Sequence, residues 1–214
     1  VDPRGLVHAQ LDTAKTSAYR ASYYLIGALL KKTGNVRIGY PGGDNFGSRP
    51  IDQHFKLLRA LGASVELFDD HYVVSADRLR GAVIHFDTLT SGATIHALLA
   101  AALAEGTTEL RNAALDPEVV DTANLLNMMG AKITGAGTST IRIQGVRQLG
   151  GCDYTVIPDR LIAGALLMAA GATRGTVTVE DVIPEHLSSC VAKLREIGMH
   201  LEETEHAVTA YGDV

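Results

Sequence analysis

Pro50-Ile51-Asp52-Gln53-His54-Phe55-Lys56-Leu57-Leu58-Arg59-Ala60-Leu61-Gly62 opens with the residue best tolerated in the first turn of a helix and closes with the residue best suited to end one. The same punctuation returns twice. Pro117 and Pro184 follow at intervals of 67 residues, and Gly130 and Gly198 follow Gly62 at intervals of 68. Self-similarity at a fixed period marks a repeat architecture, here three copies of one unit. Asp116, directly before Pro117, is a favourable N-cap, whereas Arg49 and Ile183 in the equivalent places are not.

Each copy also carries an earlier helix, over Tyr19 to Lys31, Gly92 to Glu105 and Arg160 to Ala172, apolar almost all the way round. A helix hydrophobic on every side is expected to be buried on every side, while the Pro-started helices mix faces and read as half-exposed. Leading strands are expected at Leu6 to Leu11, Ala82 to Asp87 and Tyr154 to Pro158. Short strands follow the early helices at Val36 to Tyr40, Thr108 to Asn112 and Thr176 to Glu180. After each Pro-started helix come two runs separated by polar tips: Ser64 to Phe68 with Tyr72 to Ser75, Lys132 to Thr134 with Thr140 to Gln144, and His200 to Thr204 with Ala207 to Tyr211. The unit is βαβαββ. The fold class is α/β (α+β repeats), with apolar helices at the centre and sheets facing outward.

Composition bounds the function. A chain of 214 residues, 46% hydrophobic, is long enough for one large domain or two small ones. A net charge of −5 argues against a nucleic-acid or acidic-membrane partner. The most apolar stretch, Ala93 to Ala104, is broken by His96 and too short to cross a bilayer. Cys152 and Cys190 make no disulfide framework, which points to a reducing, cytoplasmic setting, and both read as structural rather than nucleophilic. The eight His are scattered with no pair at i, i+4 on a helix, so no metal site is expected. The start Val1-Asp2-Pro3-Arg4, without Met, suggests a processed chain or a piece of a longer one.

Chemistry concentrates just before the first Pro-started helix. Pro41-Gly42-Gly43-Asp44-Asn45-Phe46-Gly47-Ser48-Arg49-Pro50 leaves the Val36–Tyr40 strand and enters that helix, whose first turn is expected to hold Pro50, Ile51 and Asp52. Three glycines let backbone approach a ligand, and Arg49 stands beside free helix N–H groups, so an anion could be held from two directions. An ordinary strand-to-helix loop is the alternative. Arg20, near the start of an apolar helix, needs a partner: either it pairs with a carboxylate, or it faces the same anion as Arg49. Asp87-Thr88-Leu89-Thr90-Ser91-Gly92 is either a second site of hydroxyls and backbone donors or a plain N-cap segment.

Pro41-Gly42-Gly43-x-x-x-Gly47-x-Arg49-Pro50-Ile51-Asp52-x-His54 resembles the mobile-loop motif of the UDP-N-acetylglucosamine 1-carboxyvinyltransferase (enolpyruvyl transferase) family. Arg20-Ala21-Ser22, Gly92-Ala93-Thr94, Ala104-Glu105-Gly106-Thr107-Thr108, Asp116-Pro117-Glu118-Val119-Val120-Asp121 and Pro158-Asp159-Arg160 resemble it in the same order, so the likeness covers essentially the whole chain. The resemblance implies six βαβαββ units in two domains forming an inside-out barrel. It also implies transfer of the enolpyruvyl group of phosphoenolpyruvate to the 3-hydroxyl of UDP-N-acetylglucosamine with loss of phosphate, the first committed step of peptidoglycan synthesis, without cofactor or metal. It places Arg20 and Arg49 at the substrates, with Arg49 near the phosphate. It puts the UDP-sugar on Arg49, Pro50, Ile51, Asp52 and Gln53 and on Thr88, Leu89, Thr90 and Ser91, and makes Asp44 the acid that protonates the enolpyruvyl methylene carbon.

Two departures matter. Most members carry Cys where Asp44 stands, the residue alkylated by fosfomycin, so insensitivity to that drug is expected. An aspartic acid of ordinary pKa (~3.9) is ionised at pH 7, so a general acid here must be desolvated or set beside bound anions. Many members carry Lys where Thr88 stands. By the resemblance, residues 1–152 hold two repeats of the first domain and 153–214 one repeat that opens the second. The chain then reads as a central fragment, inactive alone, with exposed apolar surface and a tendency to self-associate. The competing readings are a 3-phosphoshikimate enolpyruvyl transferase relative, or a repeat scaffold or UDP-sugar binding module without catalysis.

Overall fold

The structure, a computed structural model, describes residues 5–44, 47 and 49–212. Asn45, Phe46 and Ser48 of the glycine loop lie outside the described residues. The chain divides into two compact units, Val1–Tyr154 and Thr155–Val214.

The first unit holds two βαβαββ copies. One runs β1 (Ala9–Gln10), a short α1 (Thr13–Thr16), a 3-10 turn (Arg20–Tyr23) leading into α2 (Tyr24–Thr33), β2 (Asn35–Gly39), α3 (Asp52–Ala60), β3 (Ser64–Leu67) and β4 (His71–Ser75). The other runs β5 (Val83–His85), α4 (Ser91–Ala101), β6 (Thr107–Arg111), α5 (Pro117–Met128), β7 (Lys132–Thr134) and β8 (Thr140–Gln144). Their sheets, β1-β2-β4-β3 and β5-β6-β8-β7, have one topology: a leading strand parallel to its neighbour, all other pairs antiparallel. Strands such as β8 alternate buried and exposed residues, so one face of each sheet lies on the helices and the other on solvent.

The second unit runs α6 (Arg160–Thr173), β9 (Thr176–Glu180), α7 (Pro184–Glu196), β10 (His200–Glu203) and β11 (Ala207–Tyr211), with sheet order β10-β11-β9. The leading strand expected at Tyr154–Pro158 does not form. Tyr154 is instead tied down by its hydroxyl, which donates to Asp121 Oδ1 on α5 at 2.7 Å, and Thr155 and Val156 are exposed without a strand partner.

Repetition reaches individual hydrogen bonds. Gly62, Gly130 and Gly198 all take positive φ (93°, 100° and 102°) just past a helix. The next amides close the same capping loop three times: Ala63 to the Leu58 carbonyl, Ala131 to Leu126 and Met199 to Leu194, at 2.9–3.1 Å. The residue after each last strand hooks the glycine that follows the early helix: Ala76 to Gly34, Gly145 to Gly106 and Gly212 to Gly175, at 2.8–2.9 Å. In the second copy this hook is tight enough that a Cβ on Gly145 would lie 1.6 Å from the Ala104 carbonyl oxygen. Gly145→Ala is therefore expected to cost about 3 kcal/mol by forcing backbone apart, read as a lower urea midpoint; a shift under about 0.5 kcal/mol would refute that close approach.

Helix starts depart from their sequence signals in two places. Helix α3 begins at Asp52, two residues after Pro50, because the Ile51 carbonyl takes the first amides, His54 and Phe55, at 3.1 Å each. Asp116 occupies the N-cap position of α5, but its side chain does not cap; it accepts from Ser91 Oγ instead. Burial on every side holds only for α4, which packs among α2, α3 and α5. Helix α2 buries Ile26, Gly27 and Leu30 along one stripe. On α6, Leu161, Ile162, Leu166 and Met168 are exposed, since α7 and a three-stranded sheet cover only the Ala163–Leu167–Ala170 face. No helix among the described residues is long and apolar enough to cross a membrane.

Candidate active site

The glycine loop leaves β2 over a fixed floor. A Cβ on Gly42 would lie 1.6 Å from the Ser17 carbonyl oxygen, so only glycine allows the loop to cross the turn after α1 at this distance, and Gly43 then takes φ 92°. The crossing delivers Asp44 to the wall of a cavity of about 270 Å³, lined also by Arg20, Pro41, Gly42, Gly43, Gly47 and Arg49. Arg20, Asp44 and Arg49 thus meet at one place although 29 residues of sequence separate the two arginines. Arg20 comes from the 3-10 turn before α2; its Nη2 donates to the Pro50 carbonyl at 3.3 Å and its Cζ stands 5.7 Å from the centre of the Tyr23 ring. Where the sequence leaves two alternatives for Arg20, its contacts among the described residues are a carbonyl and an aromatic face. Asp44 and Arg49 are exposed.

Beyond Arg49, Pro50 and Asp52 are exposed and Ile51 is half-buried. Gln53 is buried, and its amide is fully engaged: Nε2 donates to Asp52 Oδ2 (2.7 Å) and Asp87 Oδ2 (3.0 Å), while Oε1 accepts the Asp87 N–H (3.0 Å). Lys56, one turn further along α3, reaches Asp87 Oδ1 at 2.7 Å. Both partners hold the exposed Asp87 carboxyl below the usual carboxylate range, Lys56 most strongly.

Thr88–Ser91 follows directly. Thr88 and Leu89 are exposed; Thr90 caps α4, its Oγ1 accepting the Ala93 N–H at 3.3 Å. Ser91 Oγ donates to Asp116 Oδ2 at 2.5 Å, tying the starts of α4 and α5 together. Leu89, Ser91, Ala114, Leu115 and Asp116 line a cleft of about 550 Å³ at this end of the unit. Of the four residues Thr88–Ser91, Leu89 and Ser91 line this cleft, which carries the Ser91 hydroxyl and the Asp116 carboxylate at the start of α4.

Beneath both segments lies a feature the sequence did not disclose. His54 on α3 and His96 on α4 face each other, Nδ1 to Nδ1, at 3.0 Å in the core. A bond of this kind needs one donor and one lone pair, so at least one ring is neutral, and burial disfavours a charge on either. Burial pushes the His54 ring down to about 4, helped by the nearby Arg20 charge; burial likewise holds His96 well below its ordinary range. Tyr23 packs on His54 with ring centres 4.1 Å apart, and a Cβ on Gly92 would come within 2.8 Å of the Tyr23 hydroxyl. Arg20, Tyr23, His54 and the start of α4 are thus one packed series under the loop. His54 stood in the loop motif and His96 interrupted an apolar run, but only the crossing of two helices pairs them.

Among the described residues no group of three His, Cys, Asp or Glu side chains converges as a metal would require. Cys152 is exposed and Cys190 half-buried, and neither is in a disulfide.

A glycine-built crossing that brings one carboxyl and two guanidinium groups to the wall of one cavity, within paired βαβαββ copies, defines a repeat-built α/β protein. The chain belongs to the EPSP synthase (3-phosphoshikimate 1-carboxyvinyltransferase) family, whose model matches residues 8–213. It is 49% identical over 212 residues to UDP-N-acetylglucosamine 1-carboxyvinyltransferase 2 of Bacillus subtilis (strain 168), covering 99% of this chain and 49% of that protein. It is 51% identical over 208 residues to UDP-N-acetylglucosamine 1-carboxyvinyltransferase 3 of Caldanaerobacter subterraneus subsp. tengcongensis, covering 97% and 50%. Among solved structures, the enolpyruvyl transferase NikO from Streptomyces tendae matches with TM-score 0.81 and 25% identity over 99% of this chain and 51% of that one. An EPSP synthase from Acinetobacter baumannii matches in fold, with TM-score 0.62 and 20% identity over 92% and 47%. The chain spans about half the length of the curated relatives it matches.

Proposed function

We propose that this chain carries the acid and part of the sugar-nucleotide site of an enolpyruvyl transferase acting on phosphoenolpyruvate and UDP-N-acetylglucosamine, in cytoplasmic cell-wall synthesis. The observation that supports it most is the meeting of Asp44, Arg20 and Arg49 around one cavity. In this reading Arg49 and Arg20 hold the phosphate and carboxylate of phosphoenolpyruvate. Asp44 serves as the acid that gives a proton to the methylene carbon. The central carbon becomes electrophilic, and the sugar 3-hydroxyl oxygen bonds to it as the hydroxyl loses its own proton. Expulsion of phosphate, which in the net carries the hydroxyl's proton, breaks the ester carbon–oxygen bond, and one methyl proton leaves to restore the double bond and, in the net, the Asp44 acid. The net change exchanges a phosphate ester for an ether and consumes no cofactor.

The nucleotide half of the site would use Arg49–Gln53 and Thr88–Ser91. Gln53 contributes there through its backbone, because its side chain is already committed to Asp52 and Asp87. The near-half identity to enzymes named for UDP-N-acetylglucosamine favours this substrate over 3-phosphoshikimate.

The reading makes a drug prediction. An Asp44 carboxylate is a poor nucleophile toward an epoxide compared with a thiolate, so fosfomycin should leave the loop unmodified. Peptide mass spectrometry after incubation with the drug is expected to show residues 41–49 at unaltered mass, and Asp44→Cys to gain the adduct. Labelling of Asp44 itself would remove the basis for insensitivity.

A further inference from the structure

We propose that Asp87 is a positioning residue: its paired hydrogen bonds with Gln53 lock the Thr88–Ser91 segment to the first turn of α3 and so set the distance between the two stretches that hold the sugar nucleotide. The ligand in this statement rests on the function proposed above; the lock itself rests on geometry alone.

Gln53 and Asp87 are 34 residues apart in sequence and come from different copies of the repeat. Their bonds run in both directions, amide nitrogen to carboxylate and backbone N–H to amide oxygen, each 3.0 Å. Two bonds between one pair of residues fix orientation as well as distance, which a single bond does not. Gln53 is 8% exposed, so its bonds to Asp87 satisfy polar groups that water barely reaches, with Asp52 as a further acceptor for the same amide nitrogen. Lys56 adds a 2.7 Å ion pair, but its side chain and that of Asp87 are 40% and 62% exposed. Water screens such a pair, and its share of the lock is small.

Everything held by Asp87 lies immediately downstream. Thr88 is the next residue, and Thr90 caps α4 through the Ala93 amide. On the other side, Gln53 sits in the first turn of α3, whose start follows Arg49 by three residues. The lock therefore bridges the two stretches at their roots and leaves Thr88, Leu89 and Asp52 exposed above it.

Hydrogen exchange and calorimetry on the 214-residue chain test this together. In Asp87→Ala, the amides of residues 88–93 are expected to exchange about tenfold faster, as loss of one side-chain bond allows, while those of β6 keep their protection. The affinity for UDP-N-acetylglucosamine should fall about tenfold, and the fall should largely disappear when Asp87→Ala is made in a Gln53→Ala background, since the two residues act as one device. Asp87→Asn, which keeps an acceptor for Gln53, should restore most of the protection, and Lys56→Met should change it less than about twofold. Unchanged exchange at residues 88–93 in Asp87→Ala would overturn the lock. Faster exchange in that variant, with no nucleotide binding by the parent chain, would uphold the lock and overturn the ligand assignment instead.

Discussion

Between pH 6.5 and pH 4 the Val1–Tyr154 unit is expected to lose about 3 kcal/mol of stability, because His54 must stay neutral to keep its place. Its folded pKa is depressed from 6.5 to about 4 by burial. Above pH 6.5 neither the folded nor the unfolded ring is charged, and the whole contribution is present. As pH falls through this window the unfolded chain takes up a proton that the folded state refuses, so stability drops, and below about 4 the loss levels off. His96 is shifted in the same direction, by burial and by His54, and steepens the fall. The charged groups that act on His54 oppose each other: Arg20 disfavours the protonated ring and Asp52 favours it. Exposed Asp87, held below the carboxylate range by Lys56 and Gln53, keeps its contribution through this window and loses it only at more acid pH. Urea unfolding from pH 7.5 to 4 measures the effect. Replacing both rings, His54→Leu with His96→Leu, removes the pair without stranding either nitrogen and should flatten the curve. A parent chain whose stability is level across this range would show that the two rings are not a buried neutral pair.

Gly42→Ala is expected to have the largest effect of any single methyl group in the loop. The added carbon would lie 1.6 Å from the Ser17 carbonyl oxygen and 2.8 Å from its carbon, and backbone cannot rotate out of the way as a side chain can. Either the strand end or the turn after α1 must move, at about 3 kcal/mol, and Asp44 moves with it. Stability and anion binding should therefore fall together. Gly151→Ala, where nothing stands within 4 Å and φ is not positive, is the matched control and should change neither. A Gly42→Ala chain indistinguishable from that control would mean the loop does not cross Ser17 as described.

Much of the fold was legible because repetition amplifies weak signals. One Pro and one Gly mark a helix poorly; the same pair at three equal intervals marks three, and the positive φ of Gly62, Gly130 and Gly198 is the physical reason those glycines recur. Strands β7, β8, β9 and β11 coincide with runs visible as apolar alternation between polar tips. Where local signals failed, a tertiary contact had taken over. Asp116 has an N-cap's chemistry but spends its carboxylate on Ser91. Tyr154–Pro158 has a strand's composition but forms no strand, and Tyr154 instead donates its hydroxyl to Asp121. All-round apolarity on α6 signals burial, yet the described elements cover one side of it.

The candidate site divides along the same line. Asp44 and Arg49 share one loop and could be paired from sequence, and Arg20 could be flagged as a cation on an apolar helix. Their convergence with Gly42 and Gly43 on one cavity needed coordinates. The His54–His96 bond and the Gln53–Asp87 lock span 42 and 34 residues, and each joins the first copy of the repeat to the second. No periodicity within a copy encodes a contact between copies.

Calorimetric titration of the chain with UDP-N-acetylglucosamine, for the parent and for Arg49→Met, bears most directly on the proposed site. Saturable binding with one ligand per chain is expected, weakened about tenfold or more in Arg49→Met because a charge-assisted bond to phosphate is lost. Absence of binding by the parent, or an affinity indifferent to Arg49, would contradict the assignment of this surface to the sugar nucleotide.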